Sequence, residues 1–156
     1  ELKPTAGRGV AFYAQLSKGR VIEVVDESYN ANPASMRAAF SALKLRQPQG
    51  HGRKLAVIGE MLELGPDSHA LHAALAGPLI EAGVDQVIGV GAGARALMDA
   101  LPSDHRAAWC EGADGAVETL TELARDGDVV LVKGSNASGV HKLVSSLRDK
   151  AKPASA

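Results

Sequence analysis

The feature that most constrains this chain is a repeated alternation of short apolar runs with longer stretches of helical periodicity. The apolar runs are rich in Val, Ile and Leu, which is typical of strands covered on both faces. They predict strands over residues 10–16, 21–25, 55–58, 86–90, 107–110 and 129–132. The spacing of apolar residues predicts helices over residues 33–45, 68–82, 94–101, 113–125 and 138–150. Strands that alternate with helices in this way predict an α/β fold with a mostly parallel sheet.

One connection departs from the parallel pattern, because residues 17–19 suit a hairpin loop between the first two strands. The predicted fold is therefore a three-layer sandwich with about six strands, helices on both faces and an antiparallel hairpin at one edge. Ligands of such folds bind beyond the carboxyl ends of the parallel strands. The loops that follow the strands are thus the candidate functional segments.

The composition excludes several classes of protein. With 46% hydrophobic residues in 156, the chain can bury a core, so general disorder is excluded. A net charge of −1 gives no overall attraction to nucleic acid or to an anionic membrane, and neither is an expected partner. No apolar run is long enough to span a bilayer. A single cysteine, Cys110, excludes an internal disulfide, which fits a cytoplasmic domain.

The loop after the second strand holds more polar side chains than helix capping requires. Asn32 and Pro33 form an ordinary start signal for the next helix, an N-cap side chain followed by proline in the first turn. The other polar side chains can bind a ribose hydroxyl, a cationic group or a peptide: Asp26, Glu27, Tyr29 and Asn30. Capping does not explain them, so a binding loop is favoured.

Two further loops carry charged groups. After the third strand, Gly59 permits close backbone approach, and Glu60 either faces a ligand amine or is simply solvated. After the last strand, Lys133 precedes a Gly134-Ser135 pair that opens a helix, which suits an anion or a carboxylate. An N-cap at Ser135 would explain the hydroxyl but not the lysine.

The loop after the fourth strand fits the dinucleotide motif G-x-G-x-x-A. Gly91, Gly93 and Ala96 occupy the motif positions, and Glu111 lies at the distance expected for a ribose-binding acid. The motif falls in the middle of the fold, however, and a chain with 17 glycines matches it easily. A tight glycine turn is favoured, and a stand-alone nucleotide-binding module remains an alternative. A non-catalytic interaction domain is a third interpretation, which leaves the polar loops unexplained.

Several segments carry the motifs of one known family. Residues 25–36, VDESYNANPASM, resemble its DDSYNANPxSM signature, and residues 59–65, GEMLELG, resemble its GDMLELG segment, with His72 at the expected place in the following helix. Residues 131–135, LVKGS, are similar to its LVKGSR segment. Together these motifs make the chain similar to the C-terminal domain of the Mur ligase family, and within it to the members that add D-alanyl-D-alanine.

The resemblance implies a domain organisation. Residues 10–150 would form the Rossmann-like C-terminal domain. Residues 1–9 resemble the end of the family's central domain with the linker that leaves it. Independently of the resemblance, the mostly small and polar residues 151–156 predict a disordered tail. The partners that the resemblance implies inside the enzyme are the chain's own N-terminal and central domains. A sister Mur-type ligase that uses another amino acid is a variant of this interpretation.

The resemblance also implies an activity: an ATP-dependent ligase of bacterial peptidoglycan synthesis, acting in the cytoplasm. The family's central domain binds ATP and Mg²⁺ and activates the carboxylate of UDP-MurNAc-tripeptide as an acyl phosphate. The amine of D-Ala-D-Ala then attacks, and the C-terminal domain closes as a lid over ATP. These residues include no P-loop and no magnesium ligand set, so the fragment alone is predicted to bind neither cofactor and to lack ligase activity.

Individual roles follow from the matched motifs. Arg8 would reach the γ-phosphate of ATP from the linker, and Asp26 with Glu27 would hold the ribose. Seven residues would line the dipeptide side: Tyr29, Asn30, Asn32, Glu60, Lys133, Gly134 and Ser135. No catalytic or metal-binding residue is implied in this part of the enzyme.

Three positions depart from the family's pattern. Glu27 and Glu60 stand where the family usually has Asp, and the extra methylene displaces each carboxylate. Asn136 replaces the usual Arg, which removes a bidentate donor for a carboxylate.

Overall fold

The computed structural model describes residues 9–150 as one sheet with helices on both faces. The strands are β1 (Val10–Gln15), β2 (Val21–Glu27), β3 (Lys54–Gly59), β4 (Gln86–Val90), β5 (Arg106–Cys110) and β6 (Val129–Lys133). The α-helices are α1 (Pro33–Lys44), α2 (Ser68–Ala73), α3 (Ala76–Glu81), α4 (Ala94–Ala100), α5 (Ala113–Leu123) and α6 (Val140–Arg148). Short 3₁₀ turns occur at Ser17–Gly19, Gly65–Asp67, Ser103–His105 and Asn136–Ser138.

The six strands have the order β1-β2-β6-β3-β4-β5. β1 pairs antiparallel with β2, and every other pairing in this sheet is parallel. This confirms the α/β sandwich with an antiparallel edge hairpin. β6, the last strand in sequence, lies between β2 and β3, so the loops that end these three strands are neighbours.

Two hydrophobic clusters enclose the sheet, because alternate strand residues point to opposite faces. On one face, Val129 and Leu131 of β6 belong to the cluster that contains residues of α1, α3 and α4. On the other face, Val130 and Val132 belong to the cluster that contains residues of α5 and α6. All of these positions are apolar, which is why β6 reads as a continuous apolar run rather than an alternating one.

Two of the differences from the sequence prediction affect the residues around the candidate site. The helix predicted over residues 68–82 is divided into α2 and α3 at Ala74 and Leu75. Pro78 explains the division, because it lacks an N–H and its ring would collide with the carbonyl of Ala74, four residues earlier. In addition, β2 continues to Glu27, so Asp26 and Glu27 both belong to the strand and not to the loop.

Candidate functional site

The candidate site lies at the carboxyl ends of β2, β6 and β3, where the loops after these neighbouring strands meet. The chain leaves β2 and β3 toward α1 and α2, whereas it leaves β6 toward α6 in the cluster on the opposite face. A crevice is expected where the connections of adjacent parallel strands diverge in this way. Most of the residues that the sequence singles out lie around it, and Arg8 lies outside the described residues.

Lys133 is the charged residue at the centre of this edge. It is the last residue of β6, is only 4% exposed, and its Nζ donates a hydrogen bond to the main-chain oxygen of Asn30 at 2.8 Å. Glu27 lies opposite Lys133 in the parallel register of β2 and β6. The ammonium group therefore links β6 to the loop that follows β2. An ammonium has three N–H donors, and the bond to Asn30 uses one.

Burial shifts the acidity of both charged groups. It raises the pKa of Glu27 above 4.5, and the nearby Lys133 charge opposes that rise while Asp26 adds to it. Burial also lowers the pKa of Lys133 below 10.5, which the Glu27 charge partly opposes. Loss of hydration thus disfavours the charged form of each group, and the opposite charge of the other group partly offsets this effect. Such poised pairs are found at ligand sites more often than on ordinary surfaces.

The Glu27→Gln variant is expected to remove a pH dependence of stability. Because the pKa of Glu27 is raised on folding, the folded chain holds this proton more tightly than the unfolded chain. The resulting stabilisation is present below pH 4.5 and is lost as the pH rises through the raised pKa. The unfolding free energy of the variant should therefore increase relative to that of the wild type as the pH rises toward neutrality. Urea unfolding at several pH values measures this difference. Glu118→Gln, at an exposed position on α5, controls for net charge. A difference that stays constant with pH would contradict the prediction.

Asp26 is buried beside Glu27 and already has partners in the chain. Its Oδ1 accepts hydrogen bonds from the backbone N–H and the hydroxyl of Ser28, and its Oδ2 lies 3.5 Å from Arg148 Nη2. The Arg148 guanidinium also stacks on the ring of Phe12, 4.4 Å from its centroid. Arg148 thereby links α6 to the carboxyl end of β2. No sequence motif identifies this arginine.

The loop after β2 divides its polar residues between structure and surface. Asn32 forms a capping box with Ser35, in which each side chain accepts a hydrogen bond from the other residue's backbone N–H. This confirms the N-cap prediction. Tyr29 and Asn30 are exposed, and Tyr29 faces a hollow of about 320 Å³ that Asn136 also lines.

The loops after β3 and β6 touch through glycines. A Cβ added to Gly134 would lie 2.8 Å from the Cα of Gly59, so Gly59 does permit the close approach that the sequence predicts. Next along the chain, the backbone N–H of Ser135 donates to the carbonyl oxygen of Glu60 at 3.1 Å. Ser135 also caps the following 3₁₀ turn, since its Oγ accepts from the N–H of Ser138. The two loops therefore form one packed unit at the carboxyl edge of the sheet.

The carboxylate of Glu60 binds the glycine-rich loop after β4. Its Oε2 accepts a hydrogen bond from the N–H of Gly93 at 2.8 Å. Gly91 takes the positive φ of +93° that a tight turn requires, and its carbonyl accepts from the indole of Trp109. A pyrophosphate would need the amide that Glu60 occupies and would meet a negative charge there. This geometry removes the anion site of the dinucleotide interpretation.

A metal centre is not formed by the residues in the range 9–150, where no three or more His, Cys, Asp or Glu side chains are grouped to hold an ion. His69 is exposed, whereas His72 on the same helix is fully buried and hydrogen-bonded through both ring nitrogens. Over the same residues, no helix is long and apolar enough to cross a membrane.

The chain is similar in sequence to known proteins of one family. The family model described as the glutamate ligase domain of Mur ligases matches residues 14–136. The UDP-N-acetylmuramoyl-tripeptide–D-alanyl-D-alanine ligase of Mycobacterium tuberculosis is 34% identical over 84% of this chain. The match covers 29% of that protein, so the chain spans less than a third of the relative's length.

Solved structures give the same result at the level of the fold. The MurF ligase of Thermotoga maritima in complex with ADP superposes with a TM-score of 0.74 at 28% identity. MurF of Acinetobacter baumannii superposes with a TM-score of 0.76, also at 28% identity. Each match covers 96% of this chain and 32% of the solved one. The similarity therefore extends over almost the whole chain.

Proposed function

Because this chain belongs to the Mur ligase family as its C-terminal domain, we propose that it is the acceptor-binding lid of an ATP-dependent ligase of the MurF type. The full-length enzyme would join D-alanyl-D-alanine to UDP-N-acetylmuramoyl-tripeptide during bacterial peptidoglycan synthesis, in the cytoplasm. Its own N-terminal and central domains would supply the UDP-sugar site and the ATPase centre. The described residues alone would not catalyse the reaction.

The observation that carries the proposal is the buried ammonium of Lys133, which is bonded to the main chain of the exposed Asn30 at the carboxyl edge of the sheet, two residues before Ser135. A dipeptide acceptor brings a carboxylate at one end and an amine at the other. A partly desolvated ammonium binds a carboxylate more strongly than an exposed one, because little water screens the charge. We assign the dipeptide's carboxylate to Lys133, with Asn30 and Tyr29 along its backbone.

The nucleotide side of the site is assigned to the end of β2. Asp26 and Glu27 would contact the ribose, and Arg8 would reach the γ-phosphate from the linker. Asp26 would keep its bonds to Ser28 while it binds, which fixes its orientation. The Mg²⁺ that accompanies ATP is assigned to the rest of the ligase, since residues 9–150 group no metal ligands.

The proposed reaction is a phosphoryl transfer followed by an acyl transfer. The tripeptide carboxylate attacks the γ-phosphorus of ATP, releasing ADP and leaving an acyl phosphate. The acceptor amine then adds to the acyl carbon, loses a proton, and the tetrahedral intermediate collapses as the carbon–oxygen bond to phosphate breaks. The lid contributes by orientation, because holding the amine next to the acyl carbon replaces a bimolecular encounter. Closure over the site also excludes water, which would otherwise hydrolyse the acyl phosphate.

Phosphate release by the full-length ligase tests the activity. Release is expected only when ATP, UDP-MurNAc-tripeptide and D-Ala-D-Ala are all present, and not from the 156-residue chain alone. Release with a single amino acid in place of D-Ala-D-Ala would instead assign the protein to a sister ligase. Absence of release with any acceptor would contradict the proposal.

Lys133→Ala in the same enzyme tests the assigned carboxylate contact. The KM for D-Ala-D-Ala is expected to rise about tenfold to hundredfold, the size of a lost hydrogen bond to a charged group. The KM for ATP should change little. Lys142→Ala removes an exposed lysine of α6 and serves as the control. Equal changes for both variants would contradict the role of Lys133.

A further inference from the structure

His72 is a fully buried histidine that the proposed chemistry does not use. It lies on α2, 0% exposed, and the backbone N–H of Met61 points at its Nε2 from 2.9 Å. Its Nδ1 lies 2.8 Å from the carbonyl oxygen of Ser68 and 3.3 Å from the Ser68 hydroxyl. Both ring nitrogens are thus engaged within the chain.

The two backbone partners fix the tautomer. A backbone N–H only donates, so Nε2 must accept and carries no proton. A backbone carbonyl only accepts, so Nδ1 must donate and carries the proton. The ring is therefore a neutral imidazole that joins the start of α2 to the loop after β3. A general acid–base role or metal ligation would break one of these bonds.

His72 is hydrogen-bonded to Met61, the next residue after Glu60 in the sequence. The N–H of Glu60 donates to the carbonyl oxygen of Val90, while its own carbonyl oxygen and its carboxylate accept from the N–H groups of Ser135 and Gly93. The edge of the imidazole also packs on the glycine-rich loop, since a Cβ at Gly93 would lie 3.1 Å from His72 Cε1. His72 therefore contacts both the loop that carries Glu60 and the loop that binds its carboxylate.

We propose that His72 is a positioning residue for acceptor binding: its neutral Nε2 holds the backbone at Met61 and thereby sets the place of Glu60 and Ser135 at the crevice. The inference rests on the proposed function, because the family resemblance behind that function implies that these two residues line the dipeptide side. His72 acts through the backbone and does not touch the acceptor. Loss of its acceptor atom should let the loop after β3 shift, while the ATP side at the end of β2 stays in place.

Three variants of the full-length ligase test this role. His72→Phe keeps a flat ring but removes the acceptor, and the KM for D-Ala-D-Ala should rise about tenfold, the effect of one lost hydrogen bond. The KM for ATP should change less than about twofold. His72→Gln places an amide oxygen near the position of Nε2 and should restore most of the affinity. His69→Gln, on the exposed side of α2, should match the wild type.

The outcomes separate this inference from the proposed function. A wild-type enzyme that ignores D-Ala-D-Ala would overturn the proposed function itself. With an active wild type, an unchanged dipeptide KM in His72→Phe would overturn the inference. So would a rise in both KM values that His72→Gln fails to reverse, because that is the result of a purely structural role.

A spectroscopic measurement on the 156-residue chain checks the same contact without any activity. Long-range ¹H–¹⁵N correlation should show His72 as the tautomer protonated at Nδ1, and the amide of Met61 should exchange slowly with deuterium. In His72→Phe that amide should exchange at least about tenfold faster, since it loses its acceptor. The opposite tautomer, or equal exchange rates in the two chains, would overturn the proposal.

Discussion

The Gly134→Ala variant is expected to lose about 1–3 kcal/mol of unfolding free energy, the usual cost of overpacking a filled interior. The full-length ligase that carries it is expected to lose most of its activity. The added Cβ would lie 2.8 Å from the Cα of Gly59 and 2.7 Å from the hydroxyl of Ser138. Gly59 is the last residue of β3 and pairs with Val90 of β4, which leaves its backbone little freedom to move. The loop after β6 must therefore shift, and the bond from Ser135 to Glu60 must lengthen.

Gly77→Ala provides a matched control, because it adds the same methyl group within α3, where no atom from beyond its neighbouring residues and its own helix backbone lies within 4 Å of the new Cβ. Replacing a helical glycine with alanine should stabilise the chain by about 0.5–1 kcal/mol. Urea unfolding of the 156-residue chain and phosphate release by the full-length enzyme measure the two effects. If Gly134→Ala unfolds at the same urea concentration as Gly77→Ala, the close contact between the two loops is not real.

The Asp128→Ala variant is expected to lose about 3–5 kcal/mol, the cost of breaking a buried charged network. Asp128 is 0% exposed and lies at the amino end of β6, at the opposite edge of the sheet. Its Oδ1 accepts from the backbone N–H of Arg53 at 2.6 Å, and its Oδ2 accepts from the backbone N–H of Arg125 at 2.7 Å and from Arg53 Nη2 at 3.2 Å. Removing the carboxylate leaves two part-buried amides and a guanidinium without this acceptor.

Asp126→Ala is the matched control for this network. Asp126 accepts one exposed hydrogen bond, from the backbone N–H of Val21, so its loss should cost about 0.5–1.5 kcal/mol. Urea unfolding measures both variants. Because Asp128 is remote from the crevice, full-length Asp128→Ala that remains folded should keep the wild-type KM for D-Ala-D-Ala. A small destabilisation, close to that of Asp126→Ala, would refute the network's importance.

The order of elements was predictable from the chain alone because each element signals its own burial. β6 is apolar at Val129 and Val130 in succession, and only a strand covered on both faces tolerates that. Asn32 and Pro33 mark the start of α1 by capping chemistry that acts within one turn. The break between α2 and α3 was missed because the apolar spacing continues through it, although Pro78 was a visible signal.

The candidate site was predictable as a set of loops but not as a set of contacts. Carboxyl ends of parallel strands meet at one edge in any sheet of this type, so Lys133 and Glu27 could be placed at the same edge. That they lie opposite each other depends on β6 pairing with β2, which only the structure shows. The partners were not foreseeable. Arg148 reaches Asp26 from the far end of the chain, and the Glu60 carboxylate binds Gly93 instead of facing solvent.

The sequence by itself determined the type and order of the elements, the edge that carries the polar loops and, through its motifs, the family. These depend on periodicity, on capping and on short stretches of neighbouring residues. Only the tertiary structure decided that Lys133 binds the carbonyl of Asn30 and that His72 is a neutral acceptor for Met61. Such contacts join groups on different elements. Their geometry follows from how the helices pack on the sheet, which local patterns do not specify.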